Sequence, residues 1–268
     1  MTRPDTQALL ELATSAARRA GASLLSNRDR LRQGHSLRVD TKSSATDPVS
    51  VADADSERAL VADITAARPD DSIMGEEGAD RRGTSGLRWV IDPLDGTVNF
   101  LYGHHGWSVS VGVEQRAPDG TWRGLVGVVL DPLAGELFAA RIDQPATCNG
   151  QEIRVNDPVR LPLALVATGF SYDPAHREEQ AGTVGRVLSA ARDIRRVGSA
   201  ALDLCAVAAG RVDAYYEDDT QRWDVMAGTV IVTSAGGVVR ELQAPGRTGG
   251  VVAAGPALLP HLAAVVGG

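Results

Sequence analysis

The segment Asp92-Pro93-Leu94-Asp95-Gly96-Thr97 combines residue types that suit phosphate chemistry with divalent cations. Its two carboxylates stand three positions apart, and a rigid proline turn between them would bring both to one side. Mg²⁺ takes carboxylate and carbonyl oxygens, so the Leu94 carbonyl is a further candidate ligand. Gly96 lets the backbone approach an anion, and the amides of Gly96 and Thr97 would point at a phosphate. A capping role would explain one of the acids but not the pair.

Further acids stand where a strand is predicted to end or a helix to begin. Glu76 and Glu77 follow a strand predicted over 71–74, and Asp224 stands at the start of a helix predicted over 225–235. Asp53 precedes a helix predicted over 56–67. Taken alone, the glutamate pair is typical of a solvated turn, and Asp53 and Asp224 are typical of helix caps. The position of the glutamate pair relative to the first segment favours a functional role for it, whereas Asp53 and Asp224 need further support.

The elements that must position these acids fall into two halves. Apolar residues at steps of three and four predict helices over 9–31 and 56–67, and short strands are predicted over 71–74 and 88–91. Alternation between 107 and 140 predicts an antiparallel meander. Strands over 165–168, 193–197 and 213–217 then alternate with helices over 177–191, 200–209 and 225–235. We expect an N-terminal α+β half, 1–145, with most metal ligands and a C-terminal α/β half, 146–268, with the substrate-binding residues. Both would pack as one compact unit with the site at their junction.

Composition excludes several classes of function. The chain has 268 residues, 43% hydrophobic and 23% charged, and no apolar run reaches the roughly 18 to 20 residues that cross a bilayer, so we expect no membrane partner. The N-terminus lacks the apolar centre of a secretory signal, which predicts a cytoplasmic location. A formal charge of −7 disfavours nucleic-acid binding. Cys148 and Cys205 are predicted to be reduced thiols, because a chain of this size does not need a disulfide to fold.

Lys42 is the only lysine among the 27 Lys and Arg residues. In so Arg-biased a chain, a solitary lysine is either chance or a position where a compact ammonium does what a planar guanidinium cannot. Its own position does not decide between the two.

Taken together, these residues resemble the inositol monophosphatase family, in particular its bacterial inositol-1-monophosphatases. The resemblance covers nearly the whole chain. It is carried by two signature regions, 89–100 and 223–237, with the segments 75–77, 198–203 and 213–217 between them in the expected order.

The resemblance implies an α+β fold, a layered α-β-α-β-α sandwich of the inositol monophosphatase and fructose-1,6-bisphosphatase type, usually as a homodimer. It also implies Mg²⁺-dependent, lithium-sensitive hydrolysis of phosphate monoesters with about two to three ions in each active site. Glu76, Asp92 and the Leu94 carbonyl would hold the first ion. Asp92, Asp95 and Asp224 would hold the second, and a third, weaker ion would sit near Glu76 through water.

The resemblance assigns catalytic roles as well. Asp53 and Thr97 are expected to orient and deprotonate the nucleophilic water, with Glu77 behind them. Lys42 would lie at the rim of the active site, just before the loop that leads to Asp53, where a small ammonium acts near phosphate as a point charge. Substrate binding is expected from a wider set of residues, namely Asp95, Gly96, Thr97, Gly198, Ser199, Ala200, Glu217 and Asp224.

The implied reaction is hydrolysis of myo-inositol monophosphate to inositol and phosphate by a metal-activated water. Glu217 favours a polyol phosphate, although a carboxylate would also attract an ammonium group. The alternatives are the same chemistry on histidinol phosphate, fructose 1,6-bisphosphate or adenosine 3′,5′-bisphosphate, and a regulatory or binding protein with incidental phosphatase activity. Val98 stands where the family often has a second threonine. His104 and His105 replace a Phe-Pro-like pair and are expected to be loop residues, not ligands.

Overall fold

The computed structural model describes residues 4–33, 39–41, 48–242 and 249–267. Lys42 lies outside the described residues. The helices are α1 Thr6–Arg32, α2 Val51–Ala67, α3 Thr97–Leu101, α4 Pro174–Ala190, α5 Ala200–Ala208, α6 Arg222–Ser234 and α7 Leu259–Val266. The strands are β1 Val39–Thr41, β2 Pro48–Ser50, β3 Ser72–Gly75, β4 Asp80–Arg81, β5 Leu87–Asp95, β6 Ser108–Arg116, β7 Trp122–Asp131, β8 Glu136–Arg141, β9 Thr147–Cys148, β10 Gln151–Glu152, β11 Leu165–Thr168, β12 Asp193–Arg195, β13 Ala214–Glu217, β14 Val238–Leu242 and β15 Gly250–Ala254.

Helix α1 confirms the first periodicity prediction. Asp5 caps its start by accepting from the amides of Gln7 and Ala8. Most residues at the predicted three- and four-residue steps are buried, including Ala13 and Leu24, whereas Leu12 and Leu31 are partly buried; together with α2 they pack on the first sheet. Alanines along this stripe let the helix lie close to the strands.

The first sheet has the strand order β10-β9-β8-β7-β6-β5-β3-β4. Its neighbours are antiparallel except β3 and β5, which run parallel, so both deliver their following residues to the same edge. The predicted meander is confirmed as β6, β7 and β8. The second sheet has the order β12-β11-β13-β15-β14, with β11 parallel to both β12 and β13.

The layers follow the order α1 and α2, first sheet, α5 and α6, second sheet, α4 and α7. One apolar cluster fills the space between the outer helices and the first sheet. A second joins both sheets through α5 and α6, and a third lies under α4 and α7. The expected α+β sandwich is therefore confirmed. Within the described ranges, no helix is both long and apolar enough to span a bilayer.

Several boundaries differ from the sequence predictions. Strand β5 continues through Asp92 to Asp95, with a shift of register between these two residues, where we expected a turn after the strand. The irregularity accommodates Pro93, which cannot donate to a regular ladder. Helices α2 and α6 begin earlier than expected, at Val51 and Arg222, so Asp53 and Asp224 lie inside the first turn.

The sequence did not predict the short strands β1, β2, β4, β9, β10, β14 and β15, because two- to five-residue strands carry little periodicity. It also did not predict α7, which spans only eight residues. The division into 1–145 and 146–268 stays a prediction. Strands β9 and β10, which lie beyond residue 145, pair with the first sheet.

Candidate active site

A pocket of about 430 Å³ lies where the ends of the two sheets meet α3, α5 and α6. Its lining is rich in carboxylates and backbone turns, and comprises Glu76, Asp92, Leu94, Asp95, Gly96, Thr97, Gly169, Phe170, Ser171, Tyr172, Asp173, Arg196, Gly198, Ala200, Glu217, Asp219, Gln221, Trp223 and Asp224. A larger cleft of about 540 Å³, at the C-terminal end of α6, has only Asp143 and Glu152 as acids. The first pocket therefore brings together most of the residues that the sequence predicts for the site.

Asp53 and Thr97 form a buried pair. Thr97 Oγ1 lies 2.9 Å from Asp53 Oδ1 and 3.1 Å from the Leu94 carbonyl oxygen, and its single proton can go to either acceptor. Asp53 is fully buried and does not line the pocket, whereas Thr97 does. The first turn of α2 thus places a carboxylate directly behind a pocket hydroxyl.

Asp92 is buried at the base of the pocket. Its Oδ1 accepts from the Leu94 amide at 2.9 Å, which holds the carboxylate against the irregular end of β5. Burial raises the pKa of Asp92 well above its usual range, and the negative charges of Glu76, Asp95 and Asp224 add to the shift. An acid so placed repels further negative charge and favours a cation.

Asp95 is held by the start of α5. Its Oδ2 accepts from Ser199 Oγ at 2.6 Å and from the Ala201 amide at 2.8 Å. Burial raises the pKa of Asp95 to about 6, although the hydrogen bond from Ser199 acts in the opposite direction. Ser199 does not line the pocket itself; it caps α5 and orients Asp95.

Asp224, in the first turn of α6, is a further carboxylate of the pocket lining. Its Oδ2 accepts from the Gln221 amide at 2.7 Å in a capping box. Burial raises the pKa of Asp224 well above its usual range, followed by the charges of Glu76 and Asp95. The capping role and a ligand role are compatible, because a carboxylate has two oxygens.

Glu217 ends β13 on the opposite side of the pocket. Its Oε2 accepts from the Tyr215 hydroxyl at 2.6 Å. Burial raises the pKa of Glu217 to about 7, and the charge of Asp95 adds to the rise. Asp203, buried on α5, also has a raised pKa, through burial and then the charge of Glu217.

Two glycines beside the pocket, Gly96 and Gly198, have left-handed backbone conformations. Gly96 precedes α3 with φ of 94°, and a Cβ there would lie 2.7 Å from the Gly106 carbonyl oxygen. Gly198 has φ of 98° and lines the pocket beside Ala200. A side chain at Gly96 would therefore be excluded both by conformation and by space.

Four lining acids and the Leu94 carbonyl offer the oxygen ligands that Mg²⁺ prefers, namely Glu76, Asp92, Asp95 and Asp224. Among the described residues, no group of three or more His, Cys, Asp or Glu side chains has the tight arrangement of a finished metal site. The charges of Glu76 and Asp95 nevertheless raise the pKa of both Asp92 and Asp224, which means that the protein does not balance the negative charge of this group. A divalent cation would offset that charge, so the donor set fits.

Three predicted site residues of the described ranges, Asp53, Glu77 and Ser199, are not part of the pocket lining. Glu77 follows the lining residue Glu76 directly. His104 and His105 are exposed and are absent from the lining too, in keeping with loop residues.

Glu57 and Arg196 were missed by sequence reasoning. Glu57 Oε2 accepts from the Glu77 amide at 2.8 Å, and its Oε1 accepts from the Ala79 amide at 3.0 Å, so it holds the turn that carries Glu76. Its position one helical turn after Asp53 was the available signal. Arg196 is the one cationic side chain among the described lining residues. It stands two positions before the segment 198–203, which the resemblance did single out.

The fold and the carboxylate pocket together define a phosphoric monoester hydrolase of the layered α+β type. The Inositol monophosphatase family model matches residues 5–267. The chain belongs to the inositol monophosphatase family.

Individual members of the family are similar to this chain over nearly its whole length. The chain is 40% identical to the inositol-1-monophosphatase SuhB of Mycobacterium tuberculosis, over 99% of this chain and 96% of that protein. It is 37% identical to the Nus factor SuhB of Pasteurella multocida, over 95% and 94% of the two chains. The crystal structure of the extragenic suppressor protein suhB from Bartonella henselae superposes with a TM-score of 0.86 at 33% identity, covering 97% of this chain and 98% of that one.

Proposed function

We propose that this protein hydrolyses myo-inositol monophosphate to inositol and phosphate with Mg²⁺. The observation that carries the proposal is the convergence of four mutually repelling carboxylates on one pocket that also holds the buried Asp53–Thr97 pair. The family itself supports phosphatase chemistry of the inositol phosphate type.

About two to three ions are proposed for the pocket. Glu76, Asp92 and the Leu94 carbonyl would hold one, and Asp92, Asp95 and Asp224 another, with a third near Glu76 through water. When bound, Mg²⁺ supplies charge neutralisation for the phosphate and lowers the pKa of water. The protein holds the acids ready through backbone amides, since the Leu94 and Gln221 N–H groups each fix one carboxylate.

The Asp53–Thr97 pair is proposed to remove a proton from the attacking water. Asp53 is fully buried and accepts from the hydroxyl of Thr97, which lines the pocket, so this hydroxyl can connect it to a water. If Thr97 Oγ1 donates its hydrogen bond to Asp53, a lone pair of the same oxygen can accept a proton from the attacking water, while the hydroxyl proton passes to Asp53. This arrangement orients the water and relays its proton to a carboxylate that solvent does not reach.

Glu217 is proposed to contact ring hydroxyls. The Tyr215 hydroxyl donates to one of its carboxylate oxygens, and Glu217 is a lining residue of the pocket. Gly198 and Ala200 line the pocket nearby and leave space for a ring. The combination favours a polyol phosphate over a phosphate ester without hydroxyls.

A panel of phosphate esters tests the proposal. Turnover of myo-inositol 1-phosphate, histidinol phosphate, fructose 1,6-bisphosphate and adenosine 3′,5′-bisphosphate would be measured with Mg²⁺, and then with Li⁺ added. We expect the highest kcat/KM with the inositol ester and inhibition by Li⁺. A higher kcat/KM with another ester would reassign the substrate, and turnover that does not depend on Mg²⁺ would contradict the metal assignment.

A second candidate is a regulatory or binding role in which hydrolysis is incidental. It is favoured by relatives named Nus factor SuhB, such as that of Pasteurella multocida. Asp95→Asn separates the two candidates, because it removes a proposed ligand. The test is whether a folded Asp95→Asn protein rescues the phenotype of cells that lack this protein. No rescue would favour the hydrolase, and full rescue would favour the regulatory role. The homodimer and the cytoplasmic location stay predictions.

A further inference from the structure

His176 is a buried histidine, 3% exposed, in the first turn of α4 behind the pocket. Its Nε2 lies 3.1 Å from Asp218 Oδ2, and its Nδ1 lies 3.4 Å from Asp219 Oδ2. A neutral imidazole carries one N–H, so only the protonated ring donates to both carboxylates. The proposed reaction gives this residue no role.

The contacts extend beyond the histidine. Gln180, about one helical turn further along α4, donates from Nε2 to Asp218 and accepts from the Ser171 amide at 3.0 Å. Ser171 Oγ donates to Asp219 Oδ2 at 2.9 Å. We call these five residues, Ser171, His176, Gln180, Asp218 and Asp219, the rim clamp.

The rim clamp joins two segments beyond the point where β11 and β13 stop pairing with each other, although Glu217 itself still pairs with Val251 of β15. Strands β11 and β13 run parallel, and their ladder ends at the pair Thr168 and Tyr216. Beyond it, the segments 169–173 and 217–219 continue along the pocket, where Ser171 and Asp219 are both lining residues. Asp219 has φ of 71°, a left-handed conformation that costs free energy in residues other than glycine and needs support.

The same two segments enclose Glu217. A Cβ placed on Gly169 would lie 1.9 Å from Glu217 Oε2, so the first segment packs directly on the carboxylate. Glu217 also directly precedes Asp218 along the chain. A displacement of either segment would therefore move the proposed contact for ring hydroxyls, while the carboxylates held by β5 and α6 would stay in place.

We propose that His176 is a positioning residue for substrate binding: through the rim clamp it fixes the pocket wall that faces the alcohol portion of the phosphate ester. The inference rests on the proposed function. It predicts an effect on KM that depends on the size of the alcohol group, because none of the five residues of the rim clamp is a proposed metal ligand.

His176→Ala tests this with two substrates, myo-inositol 1-phosphate and the smaller glycerol 2-phosphate. We expect KM for the inositol ester to rise about tenfold with kcat within about threefold, and KM for the glycerol ester to change less than about threefold. His176→Asn places an N–H near the position of Nδ1 and is expected to recover part of the loss.

Val187→Ala is the matched control, since Val187 is buried on the same helix and lies outside the clamp. It should lower the melting temperature and leave both KM values unchanged. An equal change of KM for both substrates in His176→Ala, or a selective change in Val187→Ala, would overturn the inference.

Hydrogen–deuterium exchange of the free proteins gives a readout that does not need turnover. His176→Ala should speed exchange at least about fivefold in 169–173 and 217–221, and Val187→Ala should not. Unchanged exchange in both segments would reject the clamp even if the enzyme has another substrate. Wild-type protein that fails to hydrolyse the inositol ester, with exchange as expected, would reject the proposed function alone.

Discussion

The two sides of the pocket are built in different ways. The metal-binding side takes Asp92, Leu94 and Asp95 from one strand end, and backbone amides hold its acids. The opposite wall joins segments more than 40 positions apart through side chains, with His176 between two aspartates. The first side carries unbalanced negative charge, since neighbouring carboxylates raise the pKa of Asp92 and Asp224, and it therefore favours a cation. The second side is held by hydrogen bonds between side chains of distant segments, which fix the wall that includes Glu217.

The largest effect should come from removing a carboxylate of the first side. Asp92→Asn is expected to lower kcat/KM at least about 10³-fold, because Asp92 is a proposed ligand of both principal ions. Steady-state turnover of myo-inositol 1-phosphate at saturating Mg²⁺ measures it. Asp119→Asn, in an exposed turn, serves as the control. Activity near the wild-type level in Asp92→Asn would contradict the assignment of Asp92 to a metal-binding side of the pocket.

Removing the hydroxyl of Thr97 should have the next largest effect. Thr97→Ala is expected to lower kcat about 10²-fold and leave Mg²⁺ affinity unchanged, since the hydroxyl relays a proton and binds no ion. Thr97→Ser keeps the hydroxyl and should retain most of the activity. Calorimetric Mg²⁺ titration beside turnover separates the roles, and weaker Mg²⁺ binding in Thr97→Ala would place the residue among the ligands instead.

The charge imbalance predicts a pH dependence of stability in metal-free protein. The folded pKa of Asp95 is raised from 3.8 to about 6, so the folded state binds its proton more tightly than the unfolded state. Its stabilising contribution is full below the unfolded pKa and is lost as pH rises through about 6. We expect the melting temperature to fall by about 5 °C between pH 5 and pH 8 in EDTA.

Added Mg²⁺ should remove most of that fall, because it compensates the ionised carboxylates. Thermal unfolding at both pH values, with Mg²⁺ and with EDTA, measures the difference. A metal-free protein that gains stability from pH 5 to pH 8 would contradict the assignment of unbalanced charge to this side.

The smallest effect is expected on the opposite wall. Glu217→Gln should raise KM for the inositol ester about tenfold and change kcat little, because an amide keeps the shape but loses the charged acceptor. KM for glycerol 2-phosphate is the internal comparison and should change less. A loss confined to kcat would move Glu217 to the catalytic side of the pocket.

Much of the metal-binding side was predictable because its residues are close in sequence. Asp92, Leu94, Asp95 and Thr97 fall within six positions, so local geometry brings them together whatever the rest of the chain does. The helix α1 was predictable for a similar reason, since its apolar period is long. All four line the pocket, and Thr97 also contacts Asp53. Their roles stay proposals.

The contribution of Glu57 and of the rim clamp could not be predicted. Glu57 shares a helical face with Asp53, but no local pattern says that it receives amides from a turn 20 positions away. His176 stands in a polar helix start that is typical of an exposed turn, and it is buried because Asp218 and Asp219 cover it. Such burial depends on which strand ends the sheet brings together.

The amino-acid sequence by itself determined the family, the layered α+β architecture and the group of candidate ligands, because residue type and short-range spacing carry these. The tertiary structure decided which acids share a pocket, which groups hold them and how far burial raises their pKa. The physical reason is that hydrogen bonding between distant segments and loss of solvent arise only when the two sheets pack against α5 and α6.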